Sequence, residues 1–119
     1  MSYDIYIYNR TVKANVDHGV ELDAFHHDDI TEADVNRFLA RISAYGYERM
    51  TATVDSTEFL KTVSECPIQV MVFRSEIAFS VPYWTHSQQA IAEALQDACE
   101  LSDAEGTVLF DPQAGDWIE

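Results

Sequence analysis

The first residues of the chain alternate between apolar and polar side chains. Residues 3–8 (YDIYIY) are rich in aromatic and β-branched residues, which favour strands. Tyr3, Ile5 and Ile7 fall on one side of such a strand, and we expect that side to point into the core. Residues 11–16 (TVKANV) predict a second, weaker strand.

A helix is predicted after residues 17–29, which form a polar, acidic loop. Thr31 is a natural N-cap, and Asp34 stands close to the capping-box position. Gly46 lies where a helix C-terminal glycine belongs. Between these signals four residues recur at helical spacing and give one apolar face: Val35, Phe38, Leu39 and Ile42.

The middle of the chain carries further segments with strand character. Residues 47–54 alternate weakly and predict a strand, whereas residues 56–64 (STEFLKTVS) fit either a short helix or a strand. Residues 68–73 and 77–81 predict a hairpin that turns at Arg74 and Ser75. Pro82 ends the second of these strands, because proline offers no donor to a ladder.

A second helix is predicted beyond this hairpin. Thr85 is its expected cap, with Gln88 in the reciprocal capping-box position. Gly106 marks its exit, and residues 107–110 predict a last strand. Its apolar face is formed by Ile91, Ala94, Leu95, Ala98 and Leu101.

The order of these elements resembles a βαββαβ, ferredoxin-like arrangement. Both helices would then cover one face of an antiparallel sheet. A chain of 119 residues has the length of one domain, and we find no repeat or linker in it. We therefore expect a single α+β domain over residues 1–119.

The composition is strongly acidic, with 21 Asp and Glu against 7 Lys and Arg and a formal net charge of -14. Such a chain has no positive charge to spare for nucleic-acid phosphates or for an anionic membrane, so we expect neither partner. With 47% hydrophobic residues it can nevertheless bury a core, which excludes wholesale disorder.

The acidic residues are unevenly distributed. No Lys or Arg follows Arg74, and nine acidic residues lie in that stretch. Glu93, Asp97 and Glu100 share the expected solvent side of the second helix, and Asp103 follows them.

A second acidic run, residues 17–34, holds seven carboxylates. Two interpretations of the acidity stay open. It provides general solubility or reflects an acid-rich proteome, or it forms a docking surface for a basic partner.

The compartment is inferred from the N-terminal sequence and from the cysteines. Asp4 interrupts the only early apolar run, so we expect no signal peptide. No stretch approaches the ~18 apolar residues of a membrane span. Cys66 and Cys99 are too few for a disulfide framework. We expect two reduced cysteines in a cytoplasmic protein, with one bridge between them as the alternative.

The densest polar cluster is formed by His26, His27 and Asp28, with His18 eight residues earlier. Imidazole and carboxylate are ligands for divalent metals. Adjacent residues of an extended loop point apart, however, and the alternative is a solvated loop whose aspartates favour the first helix N-terminus. No phosphate loop or nucleophile elbow is present, and the acidic surroundings disfavour a thiolate. The sequence therefore makes no positive case for an enzyme. We favour a non-enzymatic protein and expect no cofactor.

Three aromatic residues are the last candidates for a binding site. Tyr83 and Trp84 follow Pro82, and Trp117 lies near the end of the sequence. Tyr and Trp are enriched in interface hot spots, but they also serve as lids over small cores. Both roles stay open.

The two ends resemble a group of small uncharacterised bacterial proteins. Those proteins open with a YDLY-like strand and close with a strand that leads into a [YF]DPQxG turn. The matching segments here are residues 3–8 and 108–116 (VLFDPQAGD). The resemblance covers the ends alone and implies no catalytic residue. By analogy, small acidic domains of this kind act as immunity or accessory proteins.

Three hypotheses follow. In the first, a non-enzymatic protein binds a basic protein partner through Glu93, Asp97, Glu100 and Asp103, with Trp84 or Trp117 as an apolar anchor. In the second, His18, His26, His27 and Asp28 bind a small ligand or a metal, with hydrolysis as an extension. In the third, a sheet edge or helix face forms a homodimer.

Overall fold

The computed structural model describes residues 2–84, 86–103 and 106–118. They form one antiparallel seven-stranded sheet with three α-helices. The strands are β1 (Ser2–Asn9), β2 (Glu48–Ala52), β3 (Thr57–Val63), β4 (Cys66–Val72), β5 (Glu76–Pro82), β6 (Thr107–Asp111) and β7 (Asp116–Ile118). The helices are α1 (Arg10–Asp17), α2 (Glu32–Ile42) and α3 (Gln88–Leu101), with a 3-10 turn at Ser43–Tyr45.

The sheet has the order β2-β3-β4-β5-β1-β6-β7, and its main core lies on one face. We call this the helical face, because α2 and α3 cover it. As expected, Ile5 and Ile7 of β1 are buried there, and Tyr3 packs against the same core. On β4 and β5 every second residue is buried and the residues between are half-buried or exposed. This alternation is typical of a sheet covered on one side.

A small second core lies on the opposite face, at the end of β1. It consists of Tyr8, Val12 and Val108, with Leu22 and Phe25 of the acidic loop packed against it. Residues 11–16 belong to helix α1, so the strand predicted there is wrong. The Asn9 side chain accepts the Thr11 N–H at 3.0 Å and caps the helix, while Val12 is fully buried.

Local signals place α2 as expected. The Thr31 hydroxyl accepts the Asp34 N–H at 3.2 Å, and Gly46 adopts a left-handed conformation with φ of 92° where the helical segment ends. The predicted cap of the next helix, Thr85, lies outside the described residues. Helix α3 begins at Gln88 with Ser87 as its N-cap residue, so Gln88 does not occupy the reciprocal position.

The ambiguous segment 56–64 is a strand, β3, which pairs with β2 on one side and β4 on the other. The predicted hairpin of β4 and β5 is confirmed, with Pro82 as the last residue of β5. Strand β2 is an edge strand with an irregular register at residues 49–51, a feature that discourages edge pairing.

The DPQAG segment is the turn between β6 and β7. The Gln113 side chain binds β1, accepting the Asp4 N–H at 2.7 Å and donating to the Asp4 carbonyl at 2.8 Å. It thereby satisfies backbone groups of β1 beyond the pairing of β1 with β6. The two segments of the family resemblance are in direct contact in the fold.

The α+β class and the antiparallel sheet are confirmed, with α2 and α3 on one face. The ferredoxin-like βαββαβ arrangement is not matched, because the sheet has seven strands rather than four. The extra strands come from the β2–β3 hairpin and from β7, whose three residues carry no strand pattern of their own. None of the described helices has both the length and the apolarity to cross a bilayer.

Candidate protein-binding face

The acidic residues of α3 are largely compensated from within the chain. Asp97 is 5% exposed, accepts the Tyr47 hydroxyl hydrogen at 2.9 Å and lies 3.0 Å from the Lys61 ammonium. Lys61 also pairs with Glu93 and lies 5.0 Å from the centre of the Tyr47 ring. Asp97 is thus part of a half-enclosed charge network, and its expected position on the solvent side of the helix is wrong.

Asp103 is compensated in the same way. It lies 2.7 Å from Arg37 and 3.0 Å from Arg41, both on α2, and these guanidinium groups hold the pKa of its carboxyl below the usual range. Glu100 stays exposed and accepts the Tyr45 hydroxyl hydrogen at 3.4 Å. Helix α3 therefore does not present an uncompensated acidic stripe, because α2 and β3 supply cations that are distant in sequence.

The sheet face opposite α2 and α3 has a different character. We call its part on β3, β4, β5 and β1 the open face, since α1 packs only near the β1–β6 end. Its residues on the central strands are half-buried or exposed. It comprises Glu58, Leu60 and Thr62 of β3, Pro67, Gln69 and Met71 of β4, Glu76, Ala78 and Ser80 of β5, and Asp4 and Tyr6 of β1.

An apolar row begins on this face and continues over β6 and β7, and its members Tyr6, Phe110 and Trp117 also pack against the second core. Met71 pairs with Ala78, Ala78 with Tyr6, Tyr6 with Phe110, and Phe110 with Trp117. The row is continuous over five strands, and each of its residues is half-buried. Partly exposed apolar and aromatic side chains on the face of a sheet are suited to contact another protein.

Carboxylates of β1, β2, β3 and β5 lie on the same side of the sheet as this row. Asp4, Glu48, Glu58 and Glu76 all occupy positions on the same side of the sheet. The strands contain two basic residues, and both Arg49 and Lys61 occur on the helical face. Among the described strand residues, the open side of the sheet therefore carries acids and no Lys or Arg.

The electrostatic environment at Tyr6 reflects this arrangement. Burial, followed by the carboxylates of Asp4 and Glu76, raises the pKa of the Tyr6 phenol. Burial also raises the pKa of Glu76, while nearby His27 acts in the opposite direction. Further negative charge is thus disfavoured at the centre of the open face.

We expect Glu76→Gln to stabilise the fold in alkaline solution. The folded state binds the Glu76 proton more tightly than the unfolded chain, so the carboxylate costs stability as pH rises through its folded-state pKa. Denaturant unfolding should show a more stable variant at about pH 8 and no difference at about pH 3, where both states are protonated. Glu48→Gln, at an exposed position, should be neutral throughout. A stability gain of Glu76→Gln that persists at the acidic pH would contradict this explanation.

The histidine cluster does not converge. The His18 Nδ1 lies 2.6 Å from the Ala14 carbonyl oxygen, and His26 is exposed. The His27 ring packs 5.0 Å from the Tyr8 ring and Nε2 bonds the Leu22 carbonyl, while Asp28 accepts from Thr11. Within residues 2–84, 86–103 and 106–118, no three His, Cys, Asp or Glu side chains lie close enough to hold a metal ion. His27 and Asp28 fasten the acidic loop to β1 and α1.

The aromatic candidates and the cysteines separate by environment. Trp84 is 50% exposed, beyond the end of β5, whereas Trp117 packs 4.9 Å from the Phe110 ring. Both cysteines are free, with Cys66 buried and Cys99 exposed. Burial raises the pKa of the Cys66 thiol, and partial burial of the sulfur together with the Glu100 carboxylate raises the pKa of Cys99. An activated thiol nucleophile has a lowered pKa.

Sequence reasoning placed the binding surface on α3 and did not find the open face. The signal was available in part, because Asp4 and Tyr6 alternate with the core residues of β1. Register across seven strands, which brings Glu58 and Glu76 to the same face, is not encoded in any one segment. Comparison with protein-family models, curated proteins and solved structures gives no match.

Proposed function

We propose that this chain is a non-enzymatic protein-binding module that docks a basic protein partner on its open face. The observation that carries the proposal is the juxtaposition of a continuous apolar row with four carboxylates, with no cation on the strand positions of that side. Apolar contact supplies affinity at the centre, and complementary charge speeds encounter and selects the partner.

The open face differs from α3 in a way that matters for binding. Acids that already pair with Lys61, Arg37 or Arg41 would have to exchange one ion pair for another, with little net gain. The carboxylates of the open face have no such cationic partner among the described strands. An immunity or accessory protein, the role given by analogy with other small acidic domains, would act by holding its partner in this way.

Site-specific photo-crosslinking in the source cells tests the proposal. A photoreactive residue is placed at Met71 on the open face or, as a matched control, at Gln96 on the exposed side of α3. We expect one dominant adduct from position 71, formed with a protein of net positive charge, and none from position 96. A dominant adduct at position 96, or an acidic partner, would contradict the proposal.

The purified partner then gives a quantitative test at about 0.15 M salt, where charges beyond ~8 Å are screened. We expect Asp4→Asn/Glu58→Gln/Glu76→Gln to weaken binding by about tenfold or more and to flatten its salt dependence. The control Glu21→Gln/Asp23→Asn/Asp116→Asn removes the same charge from other surfaces and should change affinity by about twofold or less. Equal losses in both triple variants would mean that net charge, not this face, drives binding.

A further inference from the structure

A cleft of about 650 Å³ lies at the end of the helical side, away from the open face. Its walls are the start of α2, the β2–β3 turn at residues 53–57 and the β4–β5 turn at residues 72–74. This volume falls in the range of sites for small organic molecules, which is about 300–1,000 Å³. The cleft is separate from the binding face proposed above, and neither depends on the other.

Part of the cleft lining is apolar. Val35 and Leu39 of α2 are half-buried and line it together with Phe73. Val54, at the tip of the β2–β3 turn, also lines it and is 88% exposed, the largest exposed fraction among the large hydrophobic side chains of the described chain. A ligand in the cleft would remove this apolar surface from water, which is the main source of affinity in such sites.

Hydrogen bonds fix the walls in place. The Ile30 N–H donates to the Arg74 carbonyl at 2.9 Å and ties the segment before α2 to the β4–β5 turn. The Thr53 hydroxyl accepts the N–H groups of Asp55 and Ser56 at 3.2 and 3.1 Å and holds the β2–β3 turn. A preformed cleft spares the ligand the cost of ordering its walls.

The charged groups at the cleft determine the class of ligand. Asp29, Glu32 and Asp55 contribute three carboxylates against the one guanidinium of Arg74. A partly apolar lining with this excess of negative charge fits a molecule with a hydrophobic body and a cationic end. We infer that the cleft between α2 and the two hairpin turns binds a small organic cation, of the class of aryl-alkyl amines.

Three probes of matched shape test the inference: 4-phenylbutylamine, 4-phenylbutanol and 4-phenylbutyrate. We expect the protonated amine to bind about fivefold or more tightly than the carboxylate, with the alcohol between them, as charge pairs at partly exposed sites allow. Amide resonances of residues 53–57 and 73–74 should shift on titration, and those of the open face should not. Stronger binding of the carboxylate, shifts confined to other residues, or absence of binding at millimolar amine would overturn the inference.

Variants separate the two parts of the site. Asp55→Asn should weaken amine binding by about threefold to fivefold and leave the alcohol unchanged, because it removes charge and keeps shape. Val54→Ala should weaken all three probes, and the control Glu21→Gln should change none. Because Val54 and Asp55 are exposed turn residues, these variants should fold. An amine affinity indifferent to Asp55→Asn and Val54→Ala alike would place the ligand elsewhere, whatever the outcome at the open face.

Discussion

Truncation of Phe79 to alanine is expected to lower the free energy of unfolding by about 4 kcal/mol, the cost typical of deleting a buried phenylalanine ring. Phe79 lies at the centre of the helical face, on β5, and is 1% exposed. Its ring contacts those of Phe38 from α2 and Tyr47 before β2, at centroid distances of 6.2 and 6.1 Å. The cavity would therefore remove the contacts that join β5 to α2 and to the segment before β2. Equilibrium denaturation in urea, with an unchanged m-value, measures the loss.

Met71→Ala is the matched control on the opposite face of the neighbouring strand. Met71 is half-buried and belongs to the apolar row of the open face, so its truncation should cost about 1 kcal/mol or less. The contrast between these variants measures how one-sided the sheet is. A loss of stability at Met71 as large as that at Phe79 would show that the open face is covered in solution. A partner could then not dock on it, and the docking proposal would be contradicted.

The sequence predicts those elements whose own residues stabilise them. Thr31 caps α2 by binding a backbone group three residues away, and Gly46 supplies the left-handed conformation at the other end. The β4–β5 hairpin is equally local, since its strands are joined by a short turn. For these segments, neighbouring residues in sequence are also the residues that make the decisive contacts.

Other elements depend on contacts that no single segment contains. Residues 11–16 carry β-branched valines, but they belong to α1, whose Val12 packs in one cluster with Tyr8 and Val108. Strand β7 has three residues and exists through pairing with β6. The same holds for the binding surface. A helical wheel places Asp97 towards solvent, and only the fold brings Lys61 to it across 36 positions of sequence.

Asp97→Ala is expected to lower the free energy of unfolding by about 3 kcal/mol, because it leaves a largely buried ammonium with one carboxylate and a buried phenol with none. The side chains of Lys61 and Asp97 are 15% and 8% exposed. Burial alone would lower the pKa of Lys61, but hydrogen bonds to Glu93 and Asp97 outweigh it and raise that pKa, so the lysine is charged at neutral pH. The pair therefore contributes its stabilisation throughout the neutral range and loses it in alkaline solution, as the lysine deprotonates.

Two further variants distinguish this network from an ordinary surface ion pair. Asp103→Ala removes a carboxylate that is 49% exposed and pairs with Arg37 and Arg41, and it should cost about 1 kcal/mol or less. Tyr47→Phe/Lys61→Met/Asp97→Leu replaces the network with apolar groups of similar size and should return most of the stability that Asp97→Ala loses. Urea denaturation of all three variants at neutral pH provides the comparison. If Asp97→Ala and Asp103→Ala lower the free energy of unfolding equally, Asp97 is accessible to solvent. The acidic side of α3 would then again be the predicted surface for a basic partner.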